Sequence, residues 1–389
     1  VSNTYGKTIP LINSEGYSVL PHNIFDTSKK IKKCVKHVKS YKTLLRHFDL
    51  KSICKFILYV NKNNLVNDVY KIDNYFTDIS SLNGNNLKLY YLLLLSKLNS
   101  NYEQVYNYFN KNRQKMYESC IKITTEDAHT LKDGPTIFLT EDVEKLAKFY
   151  LNVSNISNNS LKSLFNVIKR NRIILDEMEK IEKEEIERTD KLKEGFLDKN
   201  HDSINGDEIN FQNTYLKKIK TLKNKLEITE LIPKYVPNKT EHQMKWRGKI
   251  EEDAFTCDID EDIVEEIMFL NINDDWKILL LMGIGVFNEK NDIKYKEIMK
   301  KLAQKEKLYL IIASSDYIYG TNYQFCHGYL SKDLGNISQE KMIQAFGRVG
   351  RSKMQKIYTI RLRNNDLILK LFTKDENKPE VRNMNLLFA

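Results

Sequence analysis

The sequence predicts an α/β fold with a parallel sheet, preceded by a mainly α-helical region and interrupted by a helical hairpin. Helical periodicity dominates residues 21–120. Short apolar runs then alternate with helix patterns on both sides of a charged stretch at about 155–245. Apolar runs of this length, bounded by turn residues, are typical of strands that are buried on both faces of a sheet.

The composition favours a protein that meets a polyanion in a reducing compartment. Lys and Arg outnumber Asp and Glu by 62 to 52 in 389 residues, which gives a net charge of +10. Such an excess attracts nucleic acid without specifying a sequence, although AT-rich coding bias also raises the lysine count. The five cysteines show no paired spacing. Cys34 and His37 have the spacing of half a zinc site, but no second half follows, so no metal site is predicted.

Residues 1–124 form the predicted helical region. Leu44, Phe48 and Ile53 recur near the helical period. The apolar run Leu87–Leu98 is too short to span a bilayer and contains lysine, so we expect a buried helix and no membrane association.

Two features of this region bear on phosphate binding. The lysine cluster between Lys29 and Lys39 either contacts a nucleic-acid backbone or forms a solvated helix face. Gly6-Lys7-Thr8 matches the end of a phosphate-binding loop, but that loop needs another glycine where Val1 stands. We therefore expect the phosphate-binding loop to lie outside this chain.

The α/β part is predicted over residues 125–375, and it begins with a strand followed at once by a helix. Thr136–Thr140 is apolar and rich in β-prone residues. Residues 141–149 follow the helical period and have acidic residues in the first turn, with Thr140 as a possible N-cap. Residues 376–389 are interpreted as a tail.

The hairpin and the remaining elements follow from periodicity and capping. Leu161–Leu192 and a second helix through Tyr215 and Leu226 have heptad-compatible apolar spacing, which predicts an antiparallel pair. The remaining predicted elements are strands at Trp276–Met282, Leu308–Ala313 and Ile357–Leu362, and helices at Ile293–Glu306, from Ser338 to Arg348 and at Asn365–Phe372.

The clearest indication of chemistry in the sequence is the stretch Gln344-Ala345-Phe346-Gly347-Arg348-Val349-Gly350-Arg351. A guanidinium is planar and permanently charged, and it suits phosphate oxygens. Glycine lets the backbone approach a ligand closely. A basic helix end would explain one arginine, but not the second arginine, the paired glycines and the glutamine. The spacing therefore predicts a clamp for a triphosphate.

This stretch resembles the last conserved motif of superfamily 2 helicases, which carries their arginine fingers. Leu310–Asn322 resembles the preceding helicase motif, in which a buried strand ends in Ser or Thr and G-x-N or G-x-D follows. The resemblance covers about 131–150 and 270–365. It implies that residues 125–375 form the second RecA-like lobe of a helicase, with the hairpin as an insertion.

The resemblance also implies a nucleotide site shared with a first lobe. Arg348, Arg351 and Gln344 would be catalytic, and the arginines would reach across a cleft to ATP. Gly320 and Asn322 would lie beside these arginines at the ATP site, together with Gly347. ATP and Mg²⁺ would be bound mainly by the first lobe, which we expect on the same polypeptide outside this chain. The chain alone is therefore expected to be inactive as an ATPase.

On the nucleic-acid side, the resemblance implies contacts between Ser314, Ser315 and Thr140 and the phosphates of a bound DNA or RNA strand. For the two serines, a plain strand end is the alternative interpretation.

Two other interpretations of the whole chain stay open. A helicase-like lobe could bind nucleic acid or a protein without turnover, and a purely helical structural protein could carry the motif by chance. The composition and the long insertion resemble helicases of large DNA viruses. The expected location is therefore the cytoplasm or nucleus, including a virus factory or virion.

Overall fold

The protein is an α/β fold built on one mostly parallel sheet. The computed structural model describes residues 8–118, 121–196, 205–229, 231–288, 292–318, 323–350 and 357–374. Within these ranges the strands are β1 (Leu11–Ile12), β2 (Ser18–Val19), β3 (Thr136–Leu139), β4 (Ile284–Phe287), β5 (Leu310–Ala313), β6 (His327–Leu330) and β7 (Thr359–Leu362).

These seven strands lie in the order β2-β1-β7-β6-β3-β5-β4. Every neighbouring pair is parallel except β1 and β2, which are antiparallel. All residues of β3, β5, β6 and β7 are buried, which matches strands covered on both faces. The predicted α/β class with a parallel sheet is confirmed, and so are the predicted strands that became β3, β5 and β7.

Helices make up most of the rest of the described chain. They are α1 (Pro21–Ile24), α2 (Ser28–Ser40), α3 (Leu50–Lys62), α4 (Ile72–Tyr75), α5 (Gly84–Lys97), α6 (Tyr102–Lys111), α7 (Val143–Asn152), α8 (Asn158–Phe196), α9 (Asn205–Lys223), α10 (Thr240–Arg247), α11 (Glu261–Phe269), α12 (Asp274–Leu281), α13 (Ile293–Gln304), α14 (Gln339–Phe346) and α15 (Asp366–Phe372). The predicted helices after β3 and β4, and those before and after β7, are confirmed as α7, α13, α14 and α15.

The mainly helical N-terminal region shares the sheet and the core with the α/β part. Strand β1 pairs with β7, with Leu11 beside Ile360. Residues from α2, α3 and α5 belong to the same buried apolar cluster as the central strands. Gln339, which is fully buried at the start of α14, lies 3.0 Å from the His37 ring on α2. The N-terminal region and the α/β part therefore share one apolar core.

The prediction of a strand at Trp276–Met282 is wrong, because this segment forms helix α12. Residues 277–281 of this helix are all buried, so the segment shows none of the periodicity that identifies a surface helix. The signal that was available is the cap: Asn273 accepts a hydrogen bond from the Asp275 N–H, and acidic residues occupy the first turn. The strand of this region is β4, which starts after the left-handed residue Gly283 (φ 80°).

The predicted helical hairpin is confirmed as α8 and α9. The two helices are antiparallel, since Asn171 near the start of α8 exchanges hydrogen bonds with Glu227, which follows α9. Their contact is a small separate apolar cluster, formed by Ile174, Met178, Ile219 and Leu222. Because this cluster lies apart from the main core, most of the hairpin is an appendage to the sheet.

Candidate functional site

The carboxyl edge of the sheet carries a row of polar residues, one after each of four neighbouring strands. Ser314 follows β5, Thr140 follows β3, Ser331 follows β6 and Arg363 follows β7. Backbone hydrogen bonds hold them in this order, for example from the Ser331 N–H to the Leu139 carbonyl (2.9 Å) and from the Arg363 N–H to the Leu330 carbonyl (2.9 Å). The row therefore follows directly from the parallel pairing.

A crevice opens in this edge between β3 and β6. From β3 the chain continues towards β4, and from β6 it continues towards β7, which lies on the opposite side of the sheet order. Open α/β sheets bind ligands where neighbouring connections diverge in this way. The carboxyl-edge crevice has a volume of about 310 Å³. It is lined by Phe138, Thr140, Asp142, Lys145, Leu146, Phe149, Tyr150, Ser331, Lys332, Asp333 and Arg363.

Asp333 occupies the anion-binding position at the start of α7. Its Oδ2 accepts hydrogen bonds from the Thr140 hydroxyl (2.7 Å) and from the N–H groups of Glu141 and Asp142 (3.1 Å each). Burial raises the pKa of the Asp333 carboxyl, but hydrogen bonds from Thr140, Asp142, Ser331 and Glu141 together outweigh burial, and its pKa lies below the usual value. Asp333 is therefore a fixed carboxylate at neutral pH.

These contacts define what Thr140 does. Its side chain is buried, with 1% of its surface exposed, and its hydroxyl donates to Asp333 rather than facing solvent. The prediction that Thr140 caps α7 is wrong, because the N-cap is Asp142, whose carboxylate accepts a hydrogen bond from the Lys145 N–H (3.0 Å). A phosphate could reach the Thr140 hydroxyl only after Asp333 moved away.

Ser314 and Ser315 lie further along the same edge, outside the crevice. Ser314 follows β5, and Ser315 begins a short 3-10 helix, Ser315–Ile318; both serines are partly exposed. The next residue, Asp316, forms an ion pair with Lys341 on α14 (2.7 Å). The two serines are thus next to the start of α14.

The glycine- and arginine-rich stretch lies at the opposite, amino edge of the sheet. Helix α14 begins at the Ser338 cap and ends at Gly347. The Phe325 N–H, which precedes β6, donates to the Arg348 carbonyl (3.2 Å), and the Gly350 N–H donates to the Phe325 carbonyl (2.8 Å). The side chain of Gln344 is exposed and that of Arg348 is partly exposed.

The predicted site residues therefore fall on two edges. Gln344, Gly347 and Arg348 lie at the amino edge, whereas Thr140, Ser314 and Ser315 lie at the carboxyl edge, about 13 Å away along strands of four residues. The chain between Ser314 and Phe325 runs from one edge to the other. Gly320, Asn322 and Arg351 lie outside the residues that the structure describes.

Within this stretch, the backbone conformation requires a glycine at position 350. It has φ of 75°, and a Cβ at this position would lie 2.5 Å from Cδ1 of Ile9. Gly347 has right-handed helical angles (φ −61°). The glycine at position 350 is thus explained by a tight turn against Ile9, independently of any ligand.

Arg46 joins this stretch to the N-terminal region. Its Nη2 donates to the Val349 carbonyl (2.7 Å), between the two arginines of the motif. The neighbouring His47 ring packs edge-on against Phe346, with 5.4 Å between centroids. The sequence gives no signal for this contact, because Arg46 and Val349 are 303 residues apart.

Helix α2 presents a basic face to solvent. Lys29, Lys30, Lys32, Lys33, Lys36 and Lys39 are all exposed, while Ile31, Cys34, Val35 and Val38 are buried on the other side. Lys30 pairs with Asp26 (2.8 Å), and Lys32 donates to Asn99. Cys34 and His37 are both buried, and the described residues contain no group of three or more side chains that could hold a metal ion.

No family model and no curated protein matches the chain.

One further structural finding concerns membranes. Across the described ranges, no helix combines the length and the apolar character that a membrane span requires.

We expect Gly350→Ala to destabilise the protein by about 1–3 kcal/mol, because a side chain is strained at positive φ and its Cβ would overlap Ile9. Urea denaturation followed by circular dichroism measures the change. Gly335→Ala is the matched control, because a Cβ there meets nothing within 4 Å. Equal stability of the two variants would show that Gly350 is not required by the backbone.

We expect Asp333→Asn to lower the free energy of unfolding by about 1 kcal/mol at pH 7, since it weakens hydrogen bonds to a charged acceptor that is partly exposed. The folded pKa lies below the unfolded value of about 4, so this contribution is present above pH 4 and is lost as the pH falls through the folded pKa.

Urea titrations of wild type and variant should therefore converge towards pH 3. Asp253→Asn, which alters an exposed carboxylate, controls for general charge effects. A difference between wild type and Asp333→Asn that persists unchanged at pH 3 would contradict the assigned role of the carboxylate.

Proposed function

We propose that this chain is the second motor lobe of a superfamily 2 helicase. In this proposal Arg348 and Arg351 act on ATP held by a first lobe, and the carboxyl edge contacts a bound DNA or RNA strand. The observation that carries the proposal is the Q-x-x-G-R-x-G-R stretch at the end of α14, on an α/β sheet whose strand β5 is followed by Ser314.

The amino edge supplies the chemistry that such a lobe needs. Phosphoryl transfer depends on positioning and on charge stabilisation, and an arginine finger contributes about 10³–10⁵ in rate. Arg348 is partly exposed there, and Gln344 is exposed one helical turn earlier. Arg46 braces the backbone between the two arginines by its bond to the Val349 carbonyl. ATP and Mg²⁺ are assigned mainly to the first lobe.

A single segment connects the two edges. Residues 314–325 begin at the serines of the carboxyl edge and end at Phe325, which hydrogen-bonds the backbone of Arg348 and Gly350. In this proposal the connection from β5 to β6 links the strand-binding serines to the backbone beside Arg348.

The basic face of α2 extends the nucleic-acid surface in this proposal. His37 of α2 contacts Gln339 at the start of α14, and Lys341 of α14 pairs with Asp316 beside the serines. The lysine face is therefore on a helix that adjoins the same end of α14. Lysines on one helix face bind a phosphate backbone electrostatically, without sequence preference.

The second candidate function is a nucleic-acid-binding module without turnover. The observation that favours it is that the basic face and the carboxyl edge are both present in this chain, whereas catalysis requires a nucleotide-binding lobe as a partner. The two candidates share the binding prediction and differ in the ATPase prediction.

We expect residues 1–389 to bind a 20-nucleotide single strand with a clear loss of affinity in salt. The triple variant Lys29→Ala, Lys33→Ala, Lys36→Ala should lower the slope of log K against log salt by about 2, because each phosphate contact contributes about 0.7 on a single strand. Fluorescence anisotropy at several salt concentrations measures the slope.

The matched control removes the same charge from α8, as Lys162→Ala, Lys169→Ala, Lys180→Ala, whose lysines are also exposed. It should leave the slope unchanged. An equal effect of both triple variants would mean that net charge alone, rather than the face of α2, drives binding.

In a protein that joins this chain to a nucleotide-binding lobe, Arg348→Ala and Arg351→Ala should each lower the strand-stimulated ATPase rate by a factor of about 100 or more. ATP binding should persist, because most contacts to ATP lie on the other lobe. Arg348→Lys should restore little activity, since a point charge cannot replace the guanidinium fork.

Steady-state ATPase assays with saturating nucleic acid, together with thermal melts, test this expectation. Arg170→Ala, an exposed arginine on α8, is the control. Wild-type turnover in a folded Arg348→Ala, Arg351→Ala double variant would refute the helicase proposal. ATP turnover by residues 1–389 alone would instead refute the expectation that the phosphate-binding loop lies outside this chain.

A further inference from the structure

The carboxyl-edge crevice has the location and the size of a small-molecule site. It opens outside the carboxyl ends of β3 and β6, where their connections diverge. Its volume of about 310 Å³ is at the lower end of the range for small-ligand pockets, about 300–1,000 Å³. Neither Arg348 nor Ser314 lines it. Of the residues in the proposed motor function, Thr140 does line the crevice, but its hydroxyl is bound to Asp333.

One wall of the crevice is apolar and largely aromatic. Phe138 and Tyr150 are buried and contact each other edge-on, with 6.0 Å between ring centroids. Phe149 lies beside Tyr150 on α7 and exposes 40% of its surface. An exposed aromatic ring at the mouth of an apolar cavity offers a stacking face to a planar group.

The lining of the crevice also contains three cationic side chains. Lys145 on α7, Lys332 after β6 and Arg363 after β7 all line it. Neither lysine forms an ion pair with a carboxylate in the described part of the chain. The two carboxylates of the crevice, Asp142 and Asp333, are held by backbone N–H groups, and Asp333 also by the Thr140 hydroxyl. The two lysines are thus available to bind an anion.

The position of Asp333 also decides where an anion can bind. Its carboxylate occupies the N–H groups of Glu141 and Asp142, just before α7, so these two donors are not available to a phosphate. A phosphate is therefore directed to the lysines and Arg363. Ser331 and Asp333, which border the crevice, can hydrogen-bond hydroxyl groups between the phosphate and the aromatic wall.

We propose that the carboxyl-edge crevice binds a free mononucleotide. Its base packs against Phe149 and Leu146, its sugar hydroxyls face Ser331 and Asp333, and its phosphate is held by Lys145, Lys332 and Arg363. The ligand class follows from the combination of a planar apolar wall, hydroxyl-binding groups and a cluster of cations in a cavity too small for a dinucleotide.

The test measures binding of AMP, adenosine, inorganic phosphate and a ten-nucleotide strand to residues 1–389 by isothermal titration calorimetry. We expect one saturable AMP site that binds AMP at least about tenfold more tightly than adenosine or phosphate, because the aromatic wall contributes to binding of the base and the cationic side chains contribute to binding of the phosphate. Lys145→Ala and Phe149→Ala should each weaken AMP binding by about tenfold, as expected for the loss of a charge-assisted contact or a stacking partner.

Two controls separate the crevice from other effects. Lys148→Ala removes an exposed lysine from the same helix, outside the crevice lining, and should leave AMP binding unchanged. Arg348→Ala should also leave it unchanged, so this test is independent of the proposed motor function. Phe149→Leu keeps an apolar side chain and should lose less affinity than Phe149→Ala.

Several outcomes would overturn the proposal. They are no saturable AMP binding, phosphate binding as tight as AMP binding, or equal losses in the Lys145→Ala and Lys148→Ala variants. AMP binding that is lost in Arg348→Ala would move the site to the amino edge. A strand that displaces AMP and depends on Phe149 and Lys145 would make the crevice part of the nucleic-acid surface instead.

Discussion

The parallel pairing of β3 with both β5 and β6 is the constraint on which the rest of the structure depends. This register puts Leu139 level with Ala313 on one side and with Leu330 on the other. It therefore sets Ser314, Thr140 and Ser331 side by side, and the crevice beside Asp333 depends on it, since a shift by one residue would reverse which side chains face the core. The parallel pairing of β6 with β7 places the two ends of α14 at opposite edges of the sheet.

Sequence patterns could predict the elements that carry local signals. The strands β3, β5 and β7 are short apolar runs bounded by turns, and the N-cap residue Ser338 indicates the start of α14. Helix α12 was predicted as a strand because its apolar run has the length of a strand and its buried residues form no apolar stripe. The Asn273 cap was the one local signal that could have corrected this interpretation.

The site depends on contacts that no local pattern contains. Thr140 and Asp333 are 193 residues apart, yet their hydrogen bond decides that Thr140 faces inwards and that an anion position is already filled. The contact between Arg46 and Val349 is similarly remote. What could have been anticipated is the row of residues that follows the strands, since parallel strands place their carboxyl ends at one edge. Lys332 and Arg363 enter the crevice only because β6 and β7 pair beside β3.

The pairing of β1 with β7 has a consequence for how the protein is made. Leu11 is synthesised among the first residues of this chain, but its partner Ile360 follows almost all the others. Contacts between such distant residues slow folding, because the entropy of closing a long loop must be met before the pairing stabilises anything. We therefore expect the edge of β1 that pairs with β7 to stay open until β7 has been synthesised. An open strand edge can pair with other chains, so a chaperone that covers it would protect the nascent chain from aggregation.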